Sequence, residues 1–134
     1  MNHRAHRFLP HPPLVAPVAL LAFWLLAAVA APPPATETVA RTERIDALLQ
    51  QADAYRASGQ SRNALAALRA AQPLAESLGD PARRAVVLGE LGETLRLTGA
   101  SEDARRMLES SVALARQANA PRIAATSLNH LGNL

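Results

Sequence analysis

The 134-residue chain contains no cysteine and no lysine. Without thiols it has no disulfide framework, no cysteine for a lipid anchor and no thiolate metal site. Whatever holds the fold together is side-chain packing. Without lysine, every basic residue is an arginine, which keeps its charge to very high pH, so the isoelectric point overstates how basic the surface is at neutrality. Two of the 14 basic residues, Arg4 and Arg7, precede an N-terminal apolar run, which leaves 12 against 11 acids, a balance of +1. Both signs are interspersed, and this excludes the basic footprint of a nucleic-acid binder. Aromatic residues make up 3% of the chain, and the 6 glycines are scattered singly. No glycine-rich phosphate loop is present, and no cofactor is implied.

The N-terminus carries the longest apolar stretch. MNHRAHR is positive through Arg4 and Arg7, LVAPVALLAFWLLAAVAA follows from Leu14 to Ala31, and Pro32-Pro33-Pro34 ends it. A charged start, an apolar middle and small residues at the end are the layout of a secretory signal peptide. Ala28-Val29-Ala30 supplies the A-x-A pattern for cleavage before Ala31, and Thr38-Val39-Ala40 is a second choice. Residues 1–30 are thus expected to be a signal peptide and 31–40 a proline-rich linker, with the remainder exported to the periplasm. The alternative is an uncleaved anchor in the inner membrane, since the run is about as long as a minimal spanning helix of ~18–20 residues. In both cases the arginines stay inside and the rest of the chain faces out.

From Ala40 onward the sequence repeats itself. A shift of forty residues superimposes Leu48, Leu88 and Leu128, then Ala52, Gly92 and Gly132. The same shift places Gly59 on Gly99, Ser61 on Ser101, Ala64 on Ala104, Leu68 on Leu108 and Pro81 on Pro121. Gly79 falls on Asn119, the other residue that tolerates a left-handed backbone. Each period holds two helices. In the second, Asp80 is placed to cap a helix that has Pro81 at its first position. Ala85, Leu88, Leu91, Gly92 and Leu95 form its apolar stripe. Gly99 ends that helix, and Ser101 is expected to cap the next, with Glu102 and Asp103 at the positive end of its dipole. Ala104, Met107, Leu108, Ser111 and Ala115 form the second stripe. The small residues Gly92 and Ala104 allow the two helices to approach closely. Pro73 falls inside the second helix of the first period, where a kink is expected because Leu74 and Leu78 continue the pattern. The expected architecture is all-α: an antiparallel helix-pair solenoid of about two and a quarter repeats, spanning 41–80, 81–120 and a partial third at 121–134.

These residues resemble the tetratricopeptide-repeat family. A large–small pair on the first helix, an aromatic or leucine three residues later, a turn glycine, then alanine and a leucine four further on read as Leu48, Ala52, Tyr55, Gly59, Ala64, Leu68. The second copy is Leu88, Leu91, Gly92, Leu95, Gly99, Ala104, Leu108. The period is longer than the ~34-residue type and is similar to long-helix variants in bacterial multidomain proteins. In such proteins the resemblance implies a concave groove, lined by the first helices, that holds peptides or partner segments. The outward positions are then Asp46, Leu49, Asp53 and Arg56, next Val86, Gly89, Glu93 and Arg96, and finally Asn129 and Asn133. Asp53, Arg56, Glu93, Arg96, Asn129 and Asn133 form a ladder suited to a peptide backbone and its charged side chains; read singly, Asp53–Arg56 and Glu93–Arg96 are surface pairs at i,i+3.

Catalysis within this segment is not expected. After the apolar run the only histidine is His130, read as a helix-surface residue beside the motif leucine, and the carboxylates form no metal set. Leu128, Leu131 and Gly132 belong to a third first-helix with no partner helix following it. A fragment of a longer protein is the leading expectation, and a homodimer completed through the exposed third helix is the second. The line LNHLGNL is similar to lines in arrays that precede caspase-like CHAT peptidase domains. A membrane sensor with a cytoplasmic kinase or cyclase is another owner of such repeats.

Overall fold

The computed structural model describes residues 34–134, and the expected signal peptide at 1–30 lies outside the described residues, as does 31–33 of the linker. Five helices follow one another: α1 (Ala35–Ala57), α2 (Ser61–Leu78), α3 (Pro81–Leu97), α4 (Ser101–Gln117) and α5 (Pro121–Gly132). The described residues contain no strand. Residues 35–40 of the expected linker are helical, since α1 already starts at Ala35. Pro34 precedes its first turn, Glu37 faces the positive end of the helix dipole, and Arg41 pairs with Glu37 one turn on.

The boundaries sit where single residues demand them. Gly59, Gly79 and Gly99 have φ of 74°, 67° and 81°, and Asn119 takes the same left-handed turn at 53°. A residue with a branched or bulky side chain is disfavoured there. Asp80 caps α3 by accepting hydrogen bonds from the amides of Ala82 and Arg83, with Pro81 at the first helical position. The expected cap at Ser101 is not made. Ser101 is the first residue of α4, after Ala100, and its side chain makes no capping bond. Glu102 and Asp103 occupy the first turn instead and serve the dipole directly. Pro73 lies inside α2, which continues to Leu78. Both Pro73 and Arg69, whose carbonyl loses its amide donor, lie on the exposed side, where water can replace the missing bond.

α1 and α2 form one antiparallel pair and α3 and α4 the next, with α2 against α3 and α5 resting on α4 and α3. The main core joins Ile45, Leu48 and Ala52 of α1 to Ala64, Leu65, Leu68, Ala71 and Ala75 of α2, and continues through Val87, Leu91 and Leu95 to Ala104. Leu68 and Leu108, the large members of the repeated alanine–leucine pair, are both fully buried. Val87 takes the buried place expected for Leu88, which is half-exposed. Ile45, Leu65 and Val112 are buried beyond the expected stripes.

The junction of α3, α4 and α5 is built from small residues. Ala85, Ala115 and Ala124 form a second apolar cluster there. Beside it the Ser111 hydroxyl donates to the Ala85 carbonyl at 2.6 Å and lies 2.7 Å from the Ser127 hydroxyl. Both serines are buried and satisfied, as buried hydroxyls must be. A Cβ on Gly89 would come within 3.1 Å of Ser127 Oγ and 3.2 Å of Ser111 Oγ. Gly89 is therefore a close-approach residue of the α3–α5 contact, not an outward one. α5 docks through Ala124 and Ser127, while Leu128 of the expected motif face is 46% exposed and a Cβ on Gly132 would point into open space.

Candidate functional site

At about 100° per residue, Val86, Glu90 and Glu93 share one side of α3, opposite Leu91 and Leu95. Leu91 and Leu95 are buried toward the core, so α3 turns Val86, Glu90 and Glu93 away from it. Asp46, Leu49, Asp53 and Arg56 share one side of α1 in the same way, and Ile123, Thr126 and His130 share one side of α5. Together these rows form a continuous face of the three odd-numbered helices.

Two shallow depressions lie on this face and share Val86 and Ile123. The larger, of about 310 Å³, is bounded by Asp46, Leu49, Asp80 and Arg83. The smaller, of about 130 Å³, runs over Gly89 to Glu90, Thr126 and Ser127. Leu49, Val86 and Ile123 recur every 37 residues rather than every forty. Neighbouring first helices are thus staggered by three residues, about one turn.

The same stagger sets two of the three polar contacts between neighbouring first helices, Asp46–Arg83 and Glu93–His130, while Arg56 reaches Glu90 at 34 residues. Arg83 of α3 pairs with Asp46 of α1. Arg56 of α1 bonds Asp53 on its own helix and reaches Glu90 of α3. Glu93 of α3 takes the Arg96 guanidinium at 2.8 Å and has the His130 imidazole of α5 at 3.2 Å. Each pair of successive first helices is therefore tied by polar contacts as well as packing. Burial works against the charge of Arg56, but Glu90 and Asp53 more than offset it, so the guanidinium is held more firmly protonated than usual. The hydrogen bonds from Arg96 hold the Glu93 carboxyl below the ordinary glutamate value, with help from His130 and against a smaller desolvation cost.

Of the residues expected to form the ladder, Asp53 and Arg56 stand together on α1, and Glu93 and Arg96 on α3. Asn129 is exposed, and Asn133 ends α5 as its C-cap residue. The polar member of the third row is His130, half-buried against Glu93 rather than a free surface histidine. Glu90, Arg83, Ile123 and Thr126 belong to the face and were missed by the forty-residue alignment. A search for opposite charges and matched apolar residues at 37 residues would have found Asp46–Arg83, Glu93–His130 and Leu49–Val86–Ile123.

Among the described residues no group of three or more His, Asp or Glu side chains is placed to hold a metal ion. No described helix is long and apolar enough to cross a membrane.

The pairing around Glu93 gives a pH test. Its folded-state pKa lies below the ordinary value near 4.5, so the folded chain binds this proton more weakly than the unfolded chain. The stabilisation is complete above 4.5 and is lost as pH falls through the depressed value. The difference in unfolding free energy between the parent and Glu93→Gln is expected to be constant near neutrality and to shrink in acid. A difference that grows below pH 4.5 in urea titrations would show the sign to be wrong.

The family model described as tetratricopeptide repeat matches residues 43–117, more than half of the chain. No curated protein and no solved structure matches it.

Proposed function

We propose that this chain, which belongs to the tetratricopeptide repeat family, is an exported scaffold that holds partner proteins on the face of α1, α3 and α5. Repeats of this family generally mediate protein–protein interaction. The observation that supports this face is the Leu49–Val86–Ile123 strip: apolar, half-exposed, set in depressions and bordered by fixed charges. Binding sites commonly combine an apolar floor with a few oriented polar groups. In this reading Asp53, Arg56, Glu93 and Arg96 border the site, with Arg56 and Glu93 also tying neighbouring helices through Glu90 and His130, and Asn129 and Asn133 are its polar groups on α5.

A photo-crosslinking amino acid placed at Val86 or Ile123 is expected to trap a partner in cells. The same group at Arg105, exposed on α4, is expected to trap little. Adducts from position 105 and none from 86 or 123 would remove the odd-helix face as the binding surface.

Export is supported by the charged start, the apolar run and the A-x-A pattern. The first 40 residues are expected to carry an export-dependent reporter enzyme to the periplasm, and a reporter that stays inactive would contradict this. The LNHLGNL line favours a larger CHAT-type architecture as the second reading, with a membrane sensor as the other owner of such repeats. The exposed Leu128 favours self-association through α5, which would show as a dimer mass in sedimentation.

A further inference from the structure

The charges on the odd-helix face are less balanced than their pairing suggests. Five carboxylates border it, Asp46, Asp53, Asp80, Glu90 and Glu93, against three guanidiniums, Arg56, Arg83 and Arg96. The exposure within the pairs is unequal. Asp46 and Asp53 are 52% and 66% exposed, whereas their partners Arg83 and Arg56 are 27% and 19% exposed. In these two pairs the arginine is tucked between helices and the aspartate stands toward solvent, whereas in the third pair Glu93 is the more buried partner of Arg96. An approaching segment therefore meets an apolar strip bordered by negative charge.

Resting on the reading that this face is the interaction surface, we propose that it selects a short partner segment carrying an apolar side chain flanked by lysine or arginine. The apolar side chain sits between Leu49, Val86 and Ile123, where the two depressions meet. One cation lies against Asp46, close to Asp80, and the second against Asp53. Asp46 and Asp53 are seven residues apart on α1, about 10 Å along the helix axis. An extended segment covers that distance in about three residues. The favoured pattern is basic, apolar, any residue, basic. Because Arg83 and Arg56 already occupy one side of each aspartate, the incoming cation adds a second partner rather than displacing the first. Much of the selectivity then comes from rejecting carboxylates, which the unsatisfied negative field repels.

The test is a fluorescence-anisotropy titration of the purified chain with two labelled hexapeptides, Gly-Arg-Leu-Ser-Arg-Gly and Gly-Glu-Leu-Ser-Glu-Gly. The basic peptide is expected to bind and the acidic one to bind about tenfold more weakly or not at all, with the gap narrowing as salt is raised. Asp46→Asn and Asp53→Asn are each expected to weaken the basic peptide about threefold, the size of an exposed charge pair. Both aspartates are solvent-exposed, so circular dichroism should show the fold unchanged. Val86→Thr, nearly isosteric but polar, is expected to weaken both peptides alike. Equal or tighter binding of the acidic peptide overturns the proposal. So does failure of the basic peptide to bind at millimolar concentration. If crosslinks from position 86 still report a partner in that case, the face stands and only its charge preference falls. If they do not, the face itself is wrong. A dimer whose formation blocks the peptide would make a second copy the occupant and would also overturn the proposal.

Discussion

Replacing Gly92 by valine is expected to destabilise the repeats by about 3 kcal/mol, from overpacking and β-branching within a helix. For about 100 residues this corresponds to a fall in melting temperature of roughly 12–20 °C. A Cβ at Gly92 would stand 2.6 Å from Leu108 Cγ, 2.9 Å from Leu108 Cδ2 and 3.2 Å from the Ala104 carbonyl oxygen. The first contact is with the branch point of a fully buried leucine, and the last is with backbone. Neither has room to give way. Gly92→Ala should cost less, because alanine recovers up to ~1 kcal/mol of helix propensity against the clash. Ala52 occupies the equivalent buried place in α1. The control is Gly132→Ala, at the same repeat position on α5, where a Cβ would point into open space. Its change should stay within about 0.5 kcal/mol, as for substitutions away from buried contacts. Equal effects at 92 and 132 would mean that the α3–α4 approach is not as close as described.

Leu108→Ala is the second large effect, expected to cost about 3 kcal/mol within the 2–5 range for buried leucines. Leu108 is 0% exposed and fills the space that Gly92 leaves between α3 and α4. The two substitutions are complementary in volume, so they should not add. In the double variant the valine enters space vacated by the leucine, and the combined loss should fall short of the sum by about 1–2 kcal/mol. Additive losses in urea unfolding would show that the two residues do not share one packing site.

How much of this the sequence announced depends on the range of each interaction. The turns were legible because a positive φ restricts the residue locally: Gly59, Gly79, Gly99 and Asn119 carry the punctuation themselves. The Asp80 cap was legible for the same reason. The buried stripes were largely legible from helical period, through Leu48, Ala52, Ala64, Leu68, Leu91, Leu95, Ala104 and Leu108. Val87 in place of Leu88 depended on the rotation of α3 against α2, which a period alone does not set. Gly89 looked outward by spacing and lies instead against Ser111 and Ser127, because α5 approaches α3 there. The polar ties were the least legible part of the face. Arg56–Glu90 and Glu93–His130 join different helices; the second follows from a three-residue stagger that the forty-residue repeat conceals, and the first sits one turn off that offset, at 34 residues. The i,i+3 pairs Asp53–Arg56 and Glu93–Arg96 were visible early, but only the stacking shows that they also bind the next repeat.

The most direct test is to titrate isotopically labelled protein with the segment trapped by the Val86 crosslinker and follow backbone amide shifts. Changes are expected to concentrate at Leu49, Asp53, Val86, Glu90, Ile123 and Thr126, with α2 and α4 nearly unmoved. Shifts concentrated on the exposed sides of α2 and α4, with Val86 and Ile123 silent, would contradict it.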